Sequence, residues 1–365
     1  MGLCWRDIAK QYVFFEPPFP AEKPKHHQLG APKGPAGSYY SSIFCALPDE
    51  VDVGGYSLDE QYTCDPDSPN PKDVFSYGRI GKHVVIITRP SRPRPTNAAQ
   101  DAATVTFLFP NVLYAVVVGT AGGIPDPPEA DIRLGDLAVS MPGKNHPGVI
   151  QYDFGKYEKD GFVLDGKLNA PPKALIAADE SVKEDEKCQE GYLEAILRDI
   201  TAKSGFECPG TKDTLFKTSF HHVTPGADCS ACGAYGKDVV VPRASCTHQK
   251  PVIHRGLILS GSGVVKNPRD REILQRGHKD AICFEMEAAG AMDAIPCIVV
   301  RGISNYADTH KQDGWHNYAA AVAAAYCKAL LYKLDLGRCP ESRSSTSARP
   351  LIRFNGFTPF RNVAR

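Results

Sequence analysis

Short, unbroken runs of apolar and mostly β-branched residues constrain this chain more than any other feature. Residues 83–88 read His-Val-Val-Ile-Ile-Thr, 114–118 read Tyr-Ala-Val-Val-Val, and 297–303 read Cys-Ile-Val-Val-Arg-Gly-Ile. Similar runs cover 43–47, 252–260 and 282–284, with a further one over 134–140. A strand that is apolar without alternation is covered on both faces, which is the habit of parallel sheets sandwiched between helices. Helix-type segments lie between the runs: 97–109, with Thr96 or Asn97 as N-cap, then about 181–203, 270–276, 287–293 and an Ala-rich stretch over 315–334. The alternation predicts an α/β fold: a single three-layer domain with a central mixed, largely parallel twisted sheet flanked by helices.

The length of 365 residues, at about 100–200 residues per domain, allows one large domain or two small ones. Residues 1–38, punctuated by Pro17, Pro18, Pro20, Pro24, Pro32 and Pro35, read as an irregular arm. The domain is expected over 39–336, and its polar, Pro- and Cys-rich part at about 155–250 reads as an insertion rather than core. Residues 337–365 read as a loose tail. The 42 Lys and Arg cancel the 42 Asp and Glu, so neither nucleic acid nor an anionic membrane is an expected partner. No apolar stretch approaches the roughly 18 residues of a membrane span. The first residues lack the apolar core of a secretion signal, and Arg6 stands where a myristoylation signal needs Ser or Thr. The cytoplasm is the default compartment.

Of the 12 cysteines, Cys45, Cys283, Cys297 and Cys327 lie in apolar runs and read as small buried hydrophobes. Cys229 and Cys232 form a Cys-x-x-Cys, followed by Cys246 and His248. The ligand types suit zinc, but the second half is Cys-x-His rather than a paired Cys-x-x-Cys. The group is therefore read as a local disulfide or free thiols, with no metal and no cofactor expected.

Three segments carry polar or glycine residues off strand ends, where α/β folds place their sites. The first is Gly119-Thr120-Ala121-Gly122-Gly123, a turn that is either plain structure or a place where backbone N–H groups meet a ligand. The second is Phe284-Glu285-Met286-Glu287-Ala288-Ala289-Gly290. Its carboxylates are either helix N-terminal charges or acceptors for ligand hydroxyls. The third, Arg301-Gly302-Ile303-Ser304-Asn305-Tyr306-Ala307-Asp308, places an Arg and a Ser-Asn pair directly on an apolar strand, which is costly unless they have partners. That points to function.

In this order, and with Arg-Leu-Gly-Asp-Leu-Ala-Val-Ser at 133–140, the segments resemble the nucleoside phosphorylase superfamily. Within it they are most similar to the methylthioadenosine/S-adenosylhomocysteine nucleosidases and their fungal nucleosidase-like relatives. The resemblance covers roughly 40–335 and implies the nucleoside phosphorylase-like fold. It also implies a homo-oligomer, a purine nucleoside as small-molecule partner and water as co-substrate. Carried over by position, it makes Glu50, in Ala-Leu-Pro-Asp-Glu, the base that positions the water, and sets Arg301 beside that water. Met286 and Glu287 hold the ribose, Thr120, Ala121 and Gly122 face sugar and base, and Val264 and Val265 read the purine. Glu285 and Asp308 complete the expected binding set.

Asn305 stands where the family has an Asp that protonates purine N7. An amide cannot supply that proton, but its NH₂ can hydrogen-bond N7. Two readings follow: a preference for 6-oxopurine nucleosides such as inosine and guanosine, or a weakened enzyme that only binds nucleosides. The presence of Glu50, Glu287 and Arg301 favours a live enzyme. Phosphorylases of the superfamily bind phosphate with a Gly-Asp-Pro segment and arginines. Here the first strand leads into Leu47-Pro48-Asp49-Glu50, a negative charge where phosphate would sit, although Arg89, Arg92 and Arg94 follow in a Pro-punctuated loop. A carboxylate repels phosphate and activates water, so the expected reaction is hydrolysis to free purine and ribose, with phosphorolysis as the alternative.

Overall fold

The apolar runs become adjacent strands, and the way those strands close on one another builds the site. The computed structural model describes residues 39–45, 47–62, 75–88, 92–188, 191–203, 205–224, 229, 232, 235–244, 250–310 and 312–335. The arm, the tail, Arg89, Cys246 and His248 lie outside the described residues. In chain order the elements are β1 (Tyr39–Cys45), α1 (Pro48–Tyr56), β2 (Glu60–Tyr62), β3 (Phe75–Ile80), β4 (His83–Thr88), α2 (Pro95–Leu108), β5 (Val112–Gly123), β6 (Leu137–Ser140) and β7 (Val149–Gln151). They continue with β8 (Gly155–Glu158), β9 (Gly161–Leu164), α3 (Lys173–Cys188), α4 (Tyr192–Thr201), β10 (Ile253–Ser260), α5 (Pro268–Leu274), β11 (Ala281–Glu285), α6 (Ala288–Ala294), β12 (Cys297–Asn305) and α7 (His316–Lys333).

The main sheet runs β11-β10-β6-β12-β5-β1-β4-β3-β2, with β7 beside β10. Its pairings are mixed. β1–β4, β1–β5, β5–β12 and the three pairs made by β10 are parallel, whereas β2–β3, β3–β4, β6–β12 and β5–β11 are antiparallel. The sheet is mixed, as expected, with six parallel and four antiparallel pairings, and two features supply much of its antiparallel part. The segment before residue 83 is itself a strand, joined to β4 by a tight turn at Gly81, and such a hairpin is antiparallel by construction. In addition, β5 does not stop at residue 118. It continues through its glycines, and Gly122 and Gly123 pair with Phe284 and Cys283, so that β5, β12, β6, β10 and β11 form a closed, barrel-like ring.

The Ala-rich α7 covers one face, with Ala319 to Ala325 all buried. Small side chains let this helix lie directly on β12, and a Cβ on Gly302 would collide with the Ala319 backbone. On its other side α7 meets α1, α3 and α4. Leu175, Val182, Leu193 and Leu197 from α3 and α4 join the main core, so this part of the polar stretch at 155–250 is core. The single helix expected near 181–203 is two, α3 and α4, with Gly191 at a φ of 91° just before the second. Cys45, Cys283, Cys297 and Cys327 are buried, and burial raises all four thiols well above the ordinary range, as expected of core hydrophobes. Among the described residues, no helix is long and apolar enough to cross a membrane.

Candidate active site

Arg301 organises the site. It lies mid-strand on β12, 1% exposed, directly opposite Gly119 of β5. A Cβ at Gly119 would collide with the Arg301 guanidinium and crowd the Glu50 carboxylate, so this position needs glycine for close approach rather than for a turn. Arg301 Nη2 donates to Glu285 Oε2 at 2.6 Å and to Glu287 Oε2 at 2.9 Å. Burial works against the Arg301 charge, but the carboxylates of Glu285, Glu287 and Glu50 outweigh it and hold the guanidinium firmly protonated.

The three carboxylates are used differently. Glu285, at the end of β11, also accepts the backbone N–H groups of Glu287 and Ala288, capping the start of α6. Its oxygens are committed to protein partners, so its place is to hold Arg301 and the helix. Glu50, in the first turn of α1, accepts the Leu47 N–H at 2.9 Å and, through its other oxygen, the Thr120 N–H at 2.9 Å. It thereby ties α1 to the glycine-rich end of β5. Glu287 is 5% exposed, and its Oε1 has no hydrogen-bond partner. Burial first, then Glu285 and Glu50, push its carboxyl up to about 8 against the opposing pull of Arg301.

These groups line a cavity of about 290 Å³. The expected residues Glu50, Thr120, Ala121, Gly122, Val264, Val265, Glu285, Met286, Glu287, Arg301 and Asn305 all face it, although they come from five separate stretches of chain. Asp308 does not face it and is corrected: its carboxylate accepts the His310 N–H at 2.8 Å and lies beside the His310 ring. Three residues beyond Asn305, the chain has left the strand and turned away. Asn305 itself accepts the Ala307 N–H at 2.9 Å through Oδ1 and donates from Nδ2 to Ser304 Oγ at 3.2 Å, which leaves one Nδ2 hydrogen to offer.

Seven lining residues are outside the expected set: Leu47, Pro93, Gly263, Phe284, Ser304, Ala307 and His316. Phe284 and Ser304 sit inside the motifs and could have been taken from them. His316 opens α7, with its Nδ1 3.4 Å from Thr120 Oγ1, and nothing in its spacing links it to β5.

No protein-family model matches this chain. Its fold is similar to that of solved methylthioadenosine/S-adenosylhomocysteine nucleosidases and of futalosine hydrolase. The S-adenosylhomocysteine nucleosidase of Streptococcus pyogenes superposes with a TM-score of 0.54 at 16% identity, over 83% of this chain and 100% of that one. Futalosine hydrolase of Helicobacter pylori gives 0.53 at 17% identity, over 81% and 98%. By sequence, the chain is 36% identical over 298 residues to a nucleotide-binding leucine-rich repeat-like protein of the fungus Hyaloscypha variabilis, a match covering 80% of this chain and 29% of that protein. It is also 35% identical over 78 residues to an ATP nucleosidase of Escherichia coli, covering 20% of this chain and 15% of that one. The chain thus spans less than a third of the length of either relative.

Proposed function

We propose that the protein is an N-ribosyl hydrolase that releases a purine base from a purine nucleoside. One observation carries this reading: a buried, partnerless carboxylate oxygen, Glu287 Oε1, on the wall of a nucleoside-sized cavity that also holds Glu50 and Asn305. A carboxylate in that state suits a pair of ribose hydroxyls, which would supply the missing hydrogen bonds. In the proposed reaction the C1′–N9 bond breaks through an oxocarbenium-like transition state. Water adds to C1′ and gives its proton to Glu50, while the departing purine collects negative charge that the Asn305 amide stabilises at N7. Arg301 holds Glu285 and Glu287 in place. The spare Asn305 hydrogen is a donor, and O6 of inosine or guanosine is an acceptor next to N7, which supports the 6-oxopurine preference.

Hydrolysis is favoured over phosphorolysis by charge. The floor presents Glu50, Glu285 and Glu287 against Arg301, whose Nη2 is shared by two of them. A phosphate dianion there would face net negative charge at low dielectric. A second reading, a 5′-phosphorylated nucleoside as substrate, is favoured by Arg92 and Arg94, both exposed, on either side of the cavity-lining Pro93. The test is a panel of inosine, guanosine, adenosine and ATP, each with and without inorganic phosphate. Free ribose, or ribose 5-triphosphate from ATP, without added phosphate is the expected product. Ribose 1-phosphate formed only with phosphate would overturn hydrolysis, and no base release from any of the four would overturn the enzymatic reading.

A further inference from the structure

The Cys-x-x-Cys that reads as a disulfide or free thiols takes a different form in three dimensions. Cys229 and Cys232 are not joined to each other, and both converge on His222, a residue the sequence reading did not include. Cys232 Sγ lies 3.2 Å and Cys229 Sγ 3.7 Å from the same nitrogen, His222 Nδ1, and all three donor atoms lie within 4.8 Å of one another. We propose that His222 Nδ1, Cys229 Sγ and Cys232 Sγ bind a zinc ion.

The distances suit that ion. With Zn–S bonds of about 2.3 Å and Zn–N bonds of about 2.0–2.1 Å, a tetrahedral centre separates sulfur from nitrogen by roughly 3.6 Å and sulfur from sulfur by roughly 3.8 Å. The two sulfur–nitrogen separations bracket the first value. A d¹⁰ cation with borderline-soft character matches two thiolates and an imidazole better than a hard cation would. Water or a further side chain closes the tetrahedron.

The surroundings also fit. Near the cluster the described residues form little regular structure beyond a 3₁₀ turn over Gly236–Val239 and an isolated bridge between Phe216 and Val240. Loop-rich segments of this kind are where a bound metal supplies the cross-link that a hydrogen-bond ladder does not. The backbone N–H of His222 donates to Thr309 Oγ1 at 3.0 Å, and the His222 ring meets His310 edge-on at 5.7 Å; His310 in turn stacks on Phe216 at 4.0 Å. Zinc would thus fasten the segment carrying the cysteines to the turn that follows β12, a few residues past Asn305.

The measurement is metal content by mass spectrometry on the full chain, purified without chelator from zinc-supplemented medium. About one zinc per chain is expected, as for a single tetrahedral site. Cys229→Ser and Cys232→Ser should lose it, while Cys188→Ser, at an exposed cysteine ending α3, should keep it. Because the cluster variants could fail to fold, the wild-type chain is also stripped and refilled with cobalt(II). Tetrahedral d–d bands together with a thiolate-to-cobalt charge-transfer band are expected. A zinc-free wild-type chain that also gives no thiolate-to-cobalt band, or folded Cys229→Ser and Cys232→Ser chains that retain full zinc, would overturn the site.

Discussion

Two ion clusters among the described residues, each built on an arginine of the sheet, differ in whether they line a cavity. In the first, Arg255 of β10 reaches both oxygens of Asp179 on α3 at 2.9 and 3.1 Å, and also Glu186 and the Tyr326 hydroxyl of α7. Tyr326 itself donates to Asp179, and no buried polar side-chain atom of these four residues is without a partner. In the second, Arg301 grips Glu285 and Glu287, but Glu287 Oε1 and Arg301 Nε have no partners and the cluster lines a cavity. The lesson is that burial and charge do not mark a site by themselves. A saturated cluster fixes how α3 and α7 lie on the sheet, whereas an unsaturated one holds hydrogen-bonding capacity for something that arrives.

The sharpest way to break this contrast is to exchange activity for stability at the two places. Glu50→Gln at the open cluster should cut base release by about 10²- to 10⁴-fold, the usual contribution of a general base, with a nearly unchanged melting temperature. A variant that kept the wild-type rate would remove Glu50 from the reaction. At the closed cluster, Asp179→Ala strands the Arg255 charge and should cost about 3–5 kcal/mol in urea unfolding, while the rate per folded molecule stays the same. A large loss of rate there would erase the distinction.

A subtler effect is the pH dependence of Glu287. Its carboxylate must be ionised to accept two ribose hydroxyls, so kcat/KM should climb as pH rises through about 8, and Glu287→Gln should abolish that climb. Stability should move the other way. The group titrates near 4.5 in the unfolded chain and at about 8 in the folded one, so the stability tied to the retained proton is whole below 4.5 and is lost as pH rises through about 8. Melting curves of the ligand-free wild type and Glu287→Gln across this range provide the check. The smallest expected effect belongs to Asn305→Asp, which should shift selectivity from inosine toward adenosine by about tenfold, the scale of one hydrogen bond exchanged at the base. Unchanged selectivity would separate Asn305 from base recognition.

Much of the site was legible because its residues lie at the ends of apolar strands. Arg301 within Val-Val-Arg-Gly and Glu287 after Phe-Glu-Met are polar groups where apolar ones are the rule, and such placement needs partners. Asp308 was misplaced because a residue past a strand end follows the turn, not the sheet. Glu285 and Glu287 were chemically equivalent in sequence. Only the backbone N–H groups at the start of α6 show that one caps the helix while the other keeps an oxygen to offer. Pro93 and His316 arrive from elements with no local pattern linking them to the site.

The sequence by itself determined seven of the twelve strands, most of the helices and the set of polar residues lodged on strand ends, because apolar periodicity and the cost of burying charge are local properties of the chain. Tertiary structure decided that β5 bends through its glycines to pair with β11 and close the ring, that Gly119 makes room for Arg301 across the sheet, and that His222 meets Cys229 and Cys232. Those outcomes depend on which segments become neighbours in space. Pairing between residues far apart in the chain is set by packing of the whole domain, and no short stretch of sequence contains it.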